Sequence, residues 1–229
     1  MSQKQHKSRQ KRYIGIILAF LAGLLAAVWL GLRVPPRAYR PVAAENPDQV
    51  SPYLTHRLGP DFYNQVQLDE PFELIIDQAG LNDILSRDVW PQWYGEVSVG
   101  IPAAVFEAGT LHVMSRIGYM GLSSVLTVTA QPVMDEQGRL NVNIRMVRLG
   151  LVPVTALAGH VARQTADACA AELADWPEVE KVIRAIIDNA PFDPTFDFDK
   201  QRIWLREVIV EPGQLRLRLV PENMAVRTY

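Results

Sequence analysis

Residues 126–146, LTVTAQPVMDEQGRLNVNIRM, alternate apolar and polar side chains on both sides of a turn. In the first half Leu126, Val128, Ala130 and Pro132 fall on one face and Thr127, Thr129 and Gln131 on the other. In the second, Leu140, Val142, Ile144 and Met146 oppose Asn141, Asn143 and Arg145. A period of two is that of a strand with one dry face, so the stretch predicts a β-hairpin. Asp135, Glu136, Gln137 and Gly138 supply the turn, with Gly138 taking the positive φ that such a loop needs. The dry face must meet something apolar, either the protein's own helices or a bound acyl chain.

The same reasoning carried outward predicts strands over 73–77, 103–107, 111–118, 122–132, 140–149, 203–210 and 215–220. In the last, Leu215, Leu217 and Leu219 alternate with Arg216 and Arg218, after a turn in which Pro212 and Gly213 suit the centre of a type II geometry. Helical spacing replaces the two-residue period over 79–85 and again from Thr155 to Trp176, where Leu157, Val161, Thr165, Cys169 and Leu173 recur about once a turn. Pro177 ends that helix and opens another, with Val179, Val182, Ile183, Ile186, Ile187 and Ala190 on one stripe and Glu178, Glu180, Lys181, Arg184 and Asp188 opposite. The sum is an α+β fold over residues 61–229, a strongly curved antiparallel sheet, or half-barrel, wrapped on two helices. Its inward apolar residues outnumber what two helices obviously cover, which is the reason to look for a groove lined by Leu126, Val128, Leu140, Val142, Ile144, Leu215 and Leu217.

Ahead of this unit, residues 13–32 (YIGIILAFLAGLLAAVWLGL) form a run of 20 without a charge. At about 1.5 Å per residue such a helix matches a hydrocarbon core roughly 30 Å thick. Residues 1–12 carry Lys4, Lys7, Arg9, Lys11 and Arg12 and no acid, which places the tail in the cytoplasm and the larger domain outside. A cleaved signal peptide shares the basic and apolar regions, but Leu32, Arg33, Val34, Pro35 and Pro36 offer no small-x-small site, so the reading is a single-pass signal-anchor in the cell membrane. Gly15, Ala19, Gly23, Ala27 and Gly31 fall four apart, a ladder that fits close helix–helix approach in a homodimer and equally the ordinary abundance of Gly and Ala in membrane helices. Six prolines between residues 34 and 60 make 33–60 an extended tether, with room for a short helix near Tyr53.

The chain carries −2 overall and eight of its cations precede residue 41 without an acid among them, so residues 41–229 carry −10. An acidic domain of this kind argues against nucleic acid as a partner. With Cys169 as the only cysteine, no internal disulfide can form. His6, His56, His112 and His160 lack metal-ligand spacing, and Asp193, Asp197 and Asp199 lack the glycine and glutamate of a calcium loop, so neither a metal nor another cofactor is expected. Residues 121–125, GLSSV, fail the Gly-x-Ser-x-Gly elbow at their fifth position. These absences make a non-enzymatic role the expectation. Carboxylates brought together only in space would escape such a search. Against a lipid-binding groove stands a scaffold with a closed core, whose Trp90, Trp93 and Tyr94 dock an envelope protein.

The segment 131–154, QPVMDEQGRLNVNIRMVRLGLVPV, resembles the YpmS-like family of bacterial membrane-anchored proteins through Pro132, Gly138, Leu140, Gly150 and Pro153. The likeness extends to the layout, a basic N-terminus, one anchor, an early strand and short helix, and a closing Leu-rich strand. It implies a fold similar to the tubular, half-barrel lipid-binding domains and an extracytoplasmic, periplasmic-type location. It implies no settled activity.

Overall fold

The computed structural model describes residues 20–168, 177–199 and 201–222 and shows an α+β chain with two antiparallel sheets. In chain order the helices are α1 (residues 20–33 of the described part), α2 (Gly59–Gln67), α3 (Gln78–Ser86), α4 (Thr155–Ala168) and α5 (Pro177–Ile187). The strands are β1 (Phe72–Asp77), β2 (Gln92–Tyr94), β3 (Val97–Val99), β4 (Ala103–Glu107), β5 (Thr110–Tyr119), β6 (Leu122–Met134), β7 (Leu140–Leu149), β8 (Val152–Pro153), β9 (Thr195–Phe198), β10 (Gln201–Glu211) and β11 (Gln214–Pro221). The long strands lie where the two-residue period put them. The short ones, β2, β3, β8 and β9, hold two to four residues and carry too little period to be read.

The expected single curved sheet is instead two. A seven-stranded sheet runs β2-β3-β5-β6-β7-β8 with β4 also on β5, and a four-stranded sheet runs β1-β11-β10-β9. The closing hairpin takes β1 as its neighbour, pairing Leu74 with Leu217 and Ile76 with Leu215, and so builds its own sheet. A lone bridge between Leu140 and Phe192 joins the start of β7 to the strand-like strap that leads into β9. Val66, Phe72, Leu74, Ile203 and Leu219 form one buried cluster under α2, and Ala104, Phe106 and Val210 form a second, closed by Leu81 and Leu85 of α3.

The opening hairpin forms, but its faces need correction. Residues paired across an antiparallel ladder share a face. Thr129 pairs with Met146 and Ala130 with Ile144, which leaves Arg145 as an extra residue in β7. That bulge moves Met146 off the face of Leu140, Val142 and Ile144 and puts Val147, only 6% exposed, in its place. In β6, Thr127 was expected wet and is buried beside Val125, while Leu126 and Val128 are half-buried. This part of the sheet is covered on both faces, and a strand covered twice loses its alternation.

Residues 33–60 are tied to the domain at several points. Tyr39 donates its hydroxyl hydrogen bond to the Ile101 carbonyl at 2.9 Å. Ser51 is buried and its Oγ accepts from the Leu54 amide at 3.2 Å, the geometry of a helix N-cap. A π-helical turn, Leu54–Leu58, then runs into α2. Pro60 has no N–H to offer the previous turn, and Gly59 donates instead to the Leu54 carbonyl. The widened turn seats Phe62 in an aromatic cluster, 6.0 Å from Phe72 and 4.9 Å from Phe198.

Residues 20–33 are helical, and no helix among the described residues is long and apolar enough to cross a membrane. Residues 13–19 of the expected span, the tail 1–12, and Gly15, Ala19, Cys169 and Leu173 lie outside the described residues.

Candidate apolar binding site

On the inner face of the four-stranded sheet lies a cleft of about 270 Å³. Leu74, Leu217 and Leu205 come from three neighbouring strands, Phe62 from α2, and Leu140 and Phe192 from the bridge that joins the two sheets. Among the described residues, Thr195 is the only polar side chain in the wall. Each contribution follows from local sequence. The alternation of β11 turns Leu217 inward and sends Arg216 and Arg218 to the other face, where Arg216 meets Glu211 at 3.1 Å and Glu73 at 3.5 Å. Those exposed pairs stabilise little but keep that face wet. The cleft is just below the usual ligand range of about 300–1,000 Å³, room for one chain or ring.

Of the seven groove candidates, Leu140 and Leu217 wall this cleft. Leu215 packs instead in the closed cluster of Ala104, Phe106 and Val210. Leu126, Val128, Val142 and Ile144 stand half-buried on the seven-stranded sheet, outside the cleft. Sequence reasoning missed Phe62, Phe192 and Phe196. A period-two scan cannot find them, because they come from a helix, a strap and a short edge strand.

Trp93 and Tyr94 are exposed on β2, the edge strand, whereas Trp90 is half-buried. Along the ladder of small residues, Gly23 has open space where a Cβ would stand, Ala27 is exposed, and a Cβ at Gly31 would lie 3.2 Å from Val152 Cγ2 of the domain. Gly31 therefore has a neighbour within its own chain.

Among the described residues no group of three or more His, Cys, Asp or Glu is placed to hold a metal ion. His112 Nδ1 lies 3.0 Å from Thr129 Oγ1 and its Nε2 lies 3.2 Å from a Glu107 oxygen, a cross-strand arrangement outside the wall of this cleft. Asp197 pairs with Arg202 at 3.1 Å. The Asp83 carboxylate takes a hydrogen bond from Ser51 and a two-pronged one from Arg87 at 2.6 and 3.1 Å. The Ser51 hydroxyl first and Arg87 next hold its carboxyl below the ordinary carboxylate range. This cluster joins the 51–67 segment to α3. Comparison with models of known protein families, with curated proteins and with solved structures finds no match.

Proposed function

We propose that this chain is a single-pass membrane protein, anchored by residues 13–32, whose extracytoplasmic domain binds an acyl chain or a similar apolar segment without chemical turnover. The two sheets act together as a half-barrel wall, with the cleft under α2 as the seat. The observation that carries the reading is the cleft itself: ten lining residues among those described, nine of them without a polar side-chain atom, opening between two sheets at Leu140 and Leu217. Apolar walls in an open cleft cost free energy while wet, about 25 cal/mol per Å² of apolar surface, and a chain filling them removes that cost. The resemblance to the YpmS-like family points the same way.

The test is a photoactivatable acyl-chain probe offered to the full chain in mixed micelles, followed by peptide mapping. Label on peptides carrying Leu140, Phe192 or Leu217 is the expected result. Label confined to residues 13–33 would overturn the cleft as a binding site and favour the scaffold reading, which the exposed Trp93 and Tyr94 support.

A further inference from the structure

Two hydrogen bonds lock the C-terminal end of α1 to the domain: the Leu151 amide donates to the Gly31 carbonyl at 2.9 Å, and Ser124 Oγ donates to the Leu32 carbonyl at 2.6 Å. Gly150, at φ 57, makes this approach possible, since a Cβ there would meet the Leu32 carbonyl at 2.7 Å. Ser124 is two residues from the β5–β6 turn, or about 7 Å along the strand. In that turn Met120 (φ 47) and Gly121 (φ 78) are the two central residues of a tight hairpin that pushes Met120 outward. The ladder sets Tyr94, Val97, Tyr119 and Leu122 in one row across four strands, on the same face as Ser124. Met120 is 73% exposed, and Tyr94, Tyr119 and Leu122 are exposed with it. At the helix exit the Arg33 guanidinium lies over the Trp29 ring, 3.8 Å from its centroid.

We propose that this sheet end, Tyr94, Tyr119, Met120 and Leu122, sits in the interfacial layer of the bilayer that α1 enters, holding the domain against the membrane instead of at a tether's length. The inference rests on the anchor reading above. Three observations select a lipid surface over a protein partner. The exposed row stands at the point where the chain's apolar helix leaves the domain, it combines tyrosines with aliphatic tips as membrane–water interfaces do, and the hydrogen bonds at Gly31 and Leu32 fix its distance from the helix end. Glu96 and Arg116 both line the adjoining hollow, so the patch brings no excess of one charge. Contact is then by apolar burial and insensitive to salt.

The experiment uses the full chain with Cys169→Ser, carrying an environment-sensitive fluorophore on Met120→Cys or, at the far end of the same strand, on Gln137→Cys. The two turns are about 40 Å apart, at ~3.3 Å for each residue of β6. Chains are reconstituted in phosphatidylcholine vesicles containing lipids spin-labelled near the headgroup, and flotation is scored first. Flotation with several-fold stronger quenching and a blue shift at 120 relative to 137, unchanged by salt, is the expected result. Flotation with both labels equally in water overturns the proposal and leaves the anchor standing, as it would if the row docks a protein. Failure to float overturns the anchor and this proposal with it. Leu122→Cys on the same turn, checked by circular dichroism, replaces Met120→Cys if that variant does not fold.

Discussion

The ring of Tyr53 lies directly over Gly80, where any Cβ would collide with it, and its hydroxyl accepts the Asp77 amide hydrogen bond at 2.9 Å. Because that hydrogen bond fixes the ring, Gly80→Ala is expected to cost about 1–3 kcal/mol in urea unfolding. Thr127 is 8% exposed and its hydroxyl has no hydrogen-bond partner among the described residues. Thr127→Val keeps the β-branch and removes the stranded group, so it should raise stability by about 1 kcal/mol in the same assay. Asp83 sets the acid dependence of the N-terminal segment. Folding favours its ionised form, so its contribution is full above the usual carboxylate pKa of about 4 and disappears as pH falls through the lower folded value. The stability gap between the protein and Asp83→Asn should therefore be widest above the usual carboxylate pKa of about 4 and narrow progressively as the pH falls below it. A gap that is independent of pH would remove the charge from the account.

At the scale of single elements, neighbouring residues on β5 report which face is covered. Met114 is 1% exposed, whereas Val113 beside it is 41% exposed. Met114→Ala should cost about 2–5 kcal/mol and Val113→Ala less than about 1 kcal/mol, measured by chemical denaturation. Equal losses would mean that the two faces are covered alike. The bulge at Arg145 belongs to the same scale. It turns the strand by one position, so that Ile144 and Val147 face the same way although they are three positions apart. A reading by strict alternation follows the sequence as far as Ile144 and fails at Met146, because the extra residue is a property of the pair of strands and not of β7 alone.

For the whole molecule, the join between α1 and the domain ties the helix end to the sheet at Leu151 and Ser124. It depends on Gly150, whose positive φ and missing Cβ admit the Gly31 and Leu32 carbonyls. Gly150→Ala is expected to leave the core intact and to speed hydrogen exchange at the Leu151 amide about tenfold, the loss of one hydrogen bond, read by mass spectrometry on peptides covering the β7–β8 turn. Unchanged exchange there would mean that the helix end and the domain are not coupled through this contact. The clusters beneath α2 and α3 depend on joining pieces far apart in sequence: Phe62 with Phe198, and Leu81 with Val210.

From sequence alone followed the α+β class, the long strands and their turns, the helices at Thr155 and Pro177, and the wet side of β11, where Arg216 and Arg218 alternate with leucines. These are local, since a period of two or 3.6 and a turn glycine are written within a dozen residues. Tertiary structure decided the rest. It split the strands into two sheets, covered both faces of β6, folded residues 51–60 onto the domain and drew Leu140, Phe192, Leu217 and Phe62 around one cleft. Each of these depends on which distant segment supplies the other side of a contact, and a side chain's own alternation records only that it can be buried, not against what.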